Sequence, residues 1–121
     1  MHPDPDLFAE TLQLASSFLG SLPTRPVGPP ADVDALRASL GGSLPERGED
    51  PRQVIRALAD GATPGLVASA GPRYFGFVNG GSLPAALAAD WLASAWDQNA
   101  AMAVMSSADA ILAAAAVEAR P

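Results

Sequence analysis

The chain lacks lysine and cysteine altogether, and its one histidine is His2. Without cysteine there is no disulfide, no thiolate metal ligand and no thiol nucleophile. One histidine near a chain end supports neither a histidine metal site nor a Ser-His-Asp triad. Without lysine, no side chain can bind a carbonyl cofactor covalently as a Schiff base. We therefore predict no catalytic residue and no metal ligand within these 121 residues.

Positive charge is also scarce. Seven basic residues face thirteen acidic ones, which gives a formal net charge of −6. An acidic chain repels phosphate backbones, so we expect no nucleic-acid partner. The most apolar run, residues 110–117, is mostly alanine and too short to cross a bilayer. The first six residues lack the basic region of a signal peptide, so we expect a cytoplasmic chain without a membrane partner.

Large apolar side chains are few for a sequence that is 49% hydrophobic, because much of that fraction is alanine. Alanine removes little apolar area from water when it packs, so each buried residue contributes little to stability. The length suits a single domain. We predict that apolar stripes stay exposed unless a larger partner surface covers them.

The spacing of the apolar residues predicts short amphipathic helices, separated by proline and glycine. The predicted helices cover residues 7–22, 32–40, 51–61, 83 to about 98, and 108–119. Asp6, Asp50, Ser82 and Ser106 or Ser107 are the predicted N-caps. Gly20 together with Pro23 is expected to stop the first helix, and Gly61 is expected to end the third. The proline-rich stretch 23–30 is predicted to be a stiff extended connector.

Residues 66–81 differ in character, because aromatic residues and glycines are concentrated there. Tyr74, Phe75 and Phe77 favour an extended segment, and Asn79 with two following glycines favours a turn. One interpretation is a pocket lip, in which aromatic rings form walls and Asn79 offers a donor and an acceptor. The other is an ordinary core strand with a hairpin turn. A phosphate cradle is weakly indicated, since the known glycine-rich phosphate motifs are absent.

Polar residues near the end of the fourth predicted helix leave two interpretations open. Asp97, Gln98 and Asn99 directly follow Trp96, and they mark either the exposed end of the helix or a polar site that faces a ligand. Asp90 lies seven residues before Asp97, which separates the two by about 10 Å along a helix. We therefore expect solvated helix acids, or a partner for Arg73, rather than a catalytic carboxylate pair.

Several motifs together resemble one enzyme family. They are Gly71-Pro72-Arg73-Tyr74-Phe75-Gly76-Phe77, Pro84-Ala85, Ala89-Asp90-Trp91-Leu92 and Asp97-Gln98-Asn99, preceded by Leu44-Pro45-Glu46, Asp50-Pro51 and Val54-Ile55. This pattern resembles the front part of the group II pyridoxal-phosphate-dependent amino-acid decarboxylases, which include aromatic-amino-acid and glutamate decarboxylases. The resemblance runs from about residue 7 to residue 105.

The resemblance implies a mainly α chain, the extended N-terminal dimerisation arm of a fold-type I pyridoxal-phosphate enzyme, with one extended aromatic segment. Residues 1–65 would be the helical arm with its proline-rich connector. Residues 66–105 would be the aromatic pocket segment and the long helix, and residues 106–121 a divergent alanine-rich tail. Partners would be a second subunit or a large domain.

The resemblance also implies a set of substrate-binding residues. Phe77, Val78, Asn79 and Gly80 would line the pocket for an amino-acid substrate. Asn99 and Ala101 would reach toward the substrate of the neighbouring subunit. Pyridoxal phosphate would be the cofactor, but the family's lysine and its other cofactor-binding residues lie in a large domain beyond this chain.

Two departures from the family pattern qualify this prediction. Gly71 replaces a histidine often found before the proline, and Ser106-Ser107 begin an unusual tail, which is expected to mark a truncated, split or frameshifted product. The predicted function is the N-terminal portion of a decarboxylase, which supplies dimer contacts and a pocket wall and is inactive alone. The alternative is a stand-alone helical dimerisation module without enzymatic activity.

Overall fold

The computed structural model describes residues 4–28, 32–99, 102 and 104–118. Five α-helices occur in this part of the chain: α1 Pro5–Ser21, α2 Val33–Leu40, α3 Pro51–Ala62, α4 Pro84–Trp96 and α5 Ser107–Glu118. A single 3₁₀ turn, Thr63–Gly65, follows α3. No strand occurs among the described residues, so the prediction of a mainly helical chain is confirmed. The chain divides into two compact units, Met1–Gly81 and Ser82–Pro121.

Helix α1 begins two residues earlier than predicted. The Asp4 carboxylate accepts hydrogen bonds from the backbone N–H groups of Asp6 and Leu7, each at 3.1 Å, and Pro5 occupies the first turn. The prediction of Asp6 as the cap is therefore wrong. Asp6 instead lies in the first turn, where its charge complements the helix dipole. Gly20 does not end the helix but lies inside it.

The capping of α2 and α3 follows the sequence closely. The Asp32 carboxylate caps α2 by accepting from the backbone N–H of Asp34 at 2.9 Å. The Asp50 carboxylate caps α3 by accepting from the N–H groups of Arg52 and Gln53 at 2.9 and 3.1 Å. The prediction of Asp50 followed by proline at the first helical position is confirmed.

Gly61 lies within α3 and does not end it. A Cβ atom at this position would lie 2.8 Å from the Ser39 side-chain oxygen and 2.9 Å from a Leu40 methyl carbon. Glycine therefore allows α3 to approach α2 closely, and the helix continues one residue further, to Ala62. The packing between two helices, rather than a helix stop, explains this glycine.

Helix α3 is the centre of the first unit, because both α1 and α2 pack against it. The Nε atoms of Arg52 and Arg56 both donate hydrogen bonds to the carboxylate of Glu10 on α1, the Arg52 bond at 3.0 Å. The Glu10 side chain is only 16% exposed. Hydrogen bonds from Arg56 and then Arg52 lower the pKa of Glu10 below its ordinary value. One carboxylate thus joins α1 to two successive turns of α3.

Very little apolar surface is buried in the described chain. Ala68 is its one buried hydrophobic residue. The prediction that apolar stripes stay exposed in the chain by itself is confirmed.

The second unit contains α4 and α5. Leu83, with an extended backbone, precedes α4 and makes no side-chain cap, so the prediction of Ser82 as the cap is wrong. Helix α4 ends at Trp96, and Asp97 adopts a left-handed φ of 47°. At the start of α5, the buried Ser106 hydroxyl accepts a hydrogen bond from the N–H of Asp109 at 3.4 Å. This contact agrees with the predicted serine cap.

Candidate functional site: the aromatic turn

The segment that carries the decarboxylase-like motif is tied to the end of α1. The N–H of Ala68 donates to the carbonyl oxygen of Pro26 at 3.3 Å. The Arg73 guanidinium donates to the carbonyl oxygen of Arg25 at 2.5 Å. The Arg25 guanidinium donates in turn to the carbonyl oxygen of Thr63 at 3.2 Å. Residues 66–74 are therefore held on the chain that leaves α1.

Arg25 is the central residue of this attachment. Its Nε donates to the Ser21 hydroxyl at 3.0 Å, and its guanidinium carbon lies 4.8 Å from the centre of the Phe18 ring. This distance permits a cation–π interaction. The sequence analysis did not single out Arg25. The available signal was a basic residue within a proline-rich connector, where no neighbouring helix turn explains the charge.

The packing around Gly71 accounts for the glycine found where the decarboxylases that the sequence resembles often have a histidine. Gly71 is buried, and a Cβ atom there would lie 3.0 Å from the Leu22 carbonyl oxygen and 3.1 Å from the Ala68 carbonyl oxygen. Both neighbours are backbone atoms that cannot rotate away. In this chain the position before Pro72 therefore has no room for a side chain, and a histidine would not fit without movement of the backbone.

The chain then makes a tight turn, which we call the aromatic turn (residues 75–79). The Asn79 N–H donates to the Gly76 carbonyl oxygen at 3.2 Å. Phe77 and Val78, the two central residues, have φ values of 53° and 57°. Positive φ at both central residues is the pattern of a type I′ turn. The prediction of an extended segment through Phe77 is therefore wrong, because the chain reverses at that residue.

This conformation is costly for the residues that adopt it. Left-handed φ is uncommon outside glycine, and for a β-branched residue such as Val78 it is a genuine outlier. The usual cost is about 1–3 kcal/mol per residue, and such residues cluster at binding sites and switches. A Cβ atom at Gly76 would lie 3.0 Å from the Tyr74 hydroxyl oxygen, so glycine lets the Tyr74 ring lie close to the start of the turn.

The side chains of the aromatic turn point away from the rest of the chain. Phe75, Phe77 and Val78 are 94%, 91% and 104% exposed. The interpretation as a core strand is therefore wrong. Asn79 and Gly80 are also exposed, and no atom lies within 4 Å of a Cβ built on Gly80. Four of the predicted pocket residues thus form one contiguous protruding element, and a second surface would be needed to enclose a substrate there.

The other two predicted site residues lie in the second unit or beyond the described residues. Asn99 is exposed and stands after the end of α4. The preceding Gln98 side chain donates to the Trp96 carbonyl oxygen at 2.7 Å, and Asp97 begins the left-handed helix end. The triplet is exposed and directly follows the end of α4; whether it faces a ligand remains a prediction. Ala101 lies outside the described residues.

Two open cavities occur in the described chain, and neither is lined by a residue of the aromatic turn. One, of about 370 Å³, lies beside Glu10 between α1 and α3. The other, of about 310 Å³, is lined by residues that include Trp96 and Ser106. Within residues 4–28, 32–99, 102 and 104–118, no cluster of three metal-ligating side chains occurs. No helix in that part of the chain has the length and apolar character needed to cross a bilayer.

The residues of this chain do not fit pyridoxal phosphate. The sequence has no lysine to bind it covalently. The segment before α4 also lacks the known glycine-rich phosphate motifs. No chemical step through the cofactor can be assigned to the described residues.

Comparison with known proteins supports a distant decarboxylase relation. The chain is 28% identical over 88 residues to an aromatic-L-amino-acid decarboxylase from Bacillus atrophaeus. The aligned region covers 73% of this chain but 18% of that enzyme, so the chain spans a small part of its relative's length. No family model matches the chain, and no solved structure matches it.

Proposed function

We propose that this chain is the non-catalytic N-terminal portion of a pyridoxal-phosphate-dependent amino-acid decarboxylase. In this role its helices supply contacts to a second subunit or to a large domain. The aromatic turn supplies one wall of the substrate pocket, and the cofactor and its lysine belong to the remainder of the enzyme. The observation that carries the proposal is the similarity to an aromatic-L-amino-acid decarboxylase over 88 residues.

The geometry of the aromatic turn supports this role. A pocket wall must present rigid apolar groups to a ligand, and these groups cannot be buried in the core of their own chain. Phe77 and Val78 are almost fully exposed and are held in a restricted left-handed conformation. Aromatic rings present large apolar area at low cost in side-chain entropy. A turn of this kind is suited to enclosing an aromatic or aliphatic substrate side chain once an opposing surface is in place.

A chimeric enzyme tests the proposal. The aligned segment of the Bacillus atrophaeus decarboxylase is replaced with this chain, and carbon dioxide release from aromatic L-amino acids is measured. We expect the chimera to be active and Phe77→Ala to raise its KM, because the apolar wall is shortened. Arg47→Ala, in the exposed loop between α2 and α3, is the control and should leave KM unchanged. A folded, dimeric chimera without activity would contradict the proposal.

A stand-alone dimerisation module is the second candidate, and the exposed apolar surface of the described chain favours it. Sedimentation equilibrium separates the two. A defined, folded dimer of the 12.3 kDa chain would favour the module. Aggregation, or a partly folded monomer, would favour an arm that requires the rest of its enzyme.

A further inference from the structure

The two helices of the second unit have almost no polar face. The polar side chains of α4 are Asp90 and Ser94, and those of α5 are Ser107, Asp109 and Glu118. A helix that is apolar on nearly all sides is normally buried. Large apolar side chains of these helices are nevertheless exposed: Trp91, Leu92, Trp96, Ile111, Leu112 and Val117. The surface of α4 and α5 is therefore incomplete without a partner.

The charge of this surface has one sign. Every ionisable side chain of the described residues in the second unit is a carboxylate: Asp90, Asp97, Asp109 and Glu118. No basic residue occurs from position 74 to position 119. Large apolar side chains and carboxylates thus occur together on the described part of this unit.

The negative charge of α4 and α5 argues against several kinds of binding partner. The same helices of a second copy would bring only further carboxylates, and like charges brought together in an interface cost several kcal/mol. Anionic lipid surfaces and nucleic acids repel the helices for the same reason.

The first unit of a second copy is a poor source of positive charge. Its described residues carry nine carboxylates against six arginines. Three of those arginines, Arg37, Arg52 and Arg56, already pair with carboxylates of their own chain.

We infer that α4 and α5 bind a protein surface that consists of an apolar groove bordered by arginine or lysine side chains. Trp91 and Trp96 are 41% and 51% exposed and are the anchors that enter the groove, because buried tryptophans dominate interface energies. The carboxylates pair with the basic border and set the orientation and specificity of binding. This inference goes beyond the proposed function, since it rests on exposure and charge and does not use the similarity to a decarboxylase.

Tryptophan fluorescence reports on this surface alone, because both tryptophans of the chain lie in α4. Two synthetic amphipathic helical peptides serve as probes. They share one leucine face, and one has lysine and arginine beside that face while the other has glutamate. We expect the basic peptide to shift the emission to the blue and to bind at least about tenfold more tightly than the acidic one. The difference should shrink as salt screens the charges.

A charge variant and a matched control sharpen the test. The double variant Asp90→Asn and Asp97→Asn should reduce the preference for the basic peptide several-fold. Asp34→Asn, on α2 of the first unit, removes one charge and should not change it. Asparagine tolerates left-handed φ, so the variant keeps the helix end at Asp97, and circular dichroism verifies its fold. If the variant fails to fold, the salt titration of the unaltered chain decides.

Three results would overturn the inference. The first is equal or tighter binding of the acidic peptide. The second is a blue shift with vesicles of pure phosphatidylglycerol that matches the shift with the basic peptide. The third is tryptophan emission that is already shielded without peptide, together with self-association in sedimentation that Trp96→Ala abolishes. An inactive decarboxylase chimera would contradict the proposed function but would not change the peptide-binding result. The two proposals are therefore tested independently.

Discussion

The Cβ position of Gly71 lies 3.0 Å from the carbonyl oxygen of Leu22. Gly71→Ala should therefore destabilise the chain by about 1–3 kcal/mol, the usual cost of overpacking a closely packed site. Urea unfolding followed by circular dichroism measures the change. Gly80→Ala is the matched control, because a Cβ at Gly80 meets no atom within 4 Å. Equal stability of the two variants would contradict the contact between Gly71 and Leu22.

The left-handed conformation of Val78 leads to a second prediction. Asparagine tolerates positive φ better than a β-branched residue, so Val78→Asn should raise the free energy of unfolding by about 1 kcal/mol. The side chain is fully exposed, and its replacement therefore removes no packing. Val54→Asn, at an exposed valine inside α3, should not raise stability. A loss of stability in Val78→Asn would argue against the aromatic turn as described.

The Glu10 carboxylate should make the free energy of unfolding depend on pH in the acidic range. Its ordinary pKa is 4.5, and the hydrogen bonds from Arg56 and Arg52 lower that pKa in the folded chain. Its contribution is therefore present above the ordinary pKa and disappears as pH falls through the lower, folded pKa. Glu10→Gln should be less stable than the unaltered chain at about pH 7, and the difference should close in acid. Urea unfolding across this pH range tests both points.

A surface ion pair supplies the control for Glu10. Asp34 and Arg37 form an exposed pair on α2, and pairs of this kind contribute little to stability. Asp34→Asn should leave the pH dependence unchanged. If Asp34→Asn altered it as much as Glu10→Gln, the link between α1 and α3 through Glu10 would not be the cause.

The Asp50 cap predicts a local loss of helix. Asp50→Ala leaves the N–H groups of Arg52 and Gln53 without their side-chain acceptor and should cost about 1 kcal/mol. Because α1 and α2 both pack on α3, the loss should lower the stability of the whole first unit. Glu49→Ala, one residue earlier, removes an exposed carboxylate outside the helix and should change stability far less.

The absence of lysine predicts how the chain behaves with pyridoxal phosphate. After incubation with the cofactor and reduction with borohydride, peptide mass spectrometry should find no modified side chain, because the α-amino group is the one primary amine that the sequence provides. A lysine-containing protein of similar size, treated in the same way, shows that the reaction works. A pyridoxyl group on any side chain would contradict the prediction.

Local chemistry in the sequence determined most of the helices. Asp50 followed by proline marks the start of α3, and Asp32 marks the start of α2, because both signals act through backbone groups two or three residues away. The end of α1 lies within one residue of the prediction, whereas Gly61 misled the prediction of the end of α3. A glycine inside a helix is a weak local signal, and in the case of Gly61 the approach of α2 decides its role.

The sequence by itself determined that this chain is acidic, mainly helical and unable to bind its proposed cofactor covalently, because these properties depend on which residues are present. Only the tertiary structure decided the shape of the candidate site. Aromatic residues favour extended backbone locally, but the anchoring of Arg73 to Arg25 and the close approach of Gly71 to Leu22 join residues nearly fifty positions apart. No local pattern encodes such contacts, and so the reversal at Phe77 and Val78, and the exposure that results from it, could not be read from the sequence.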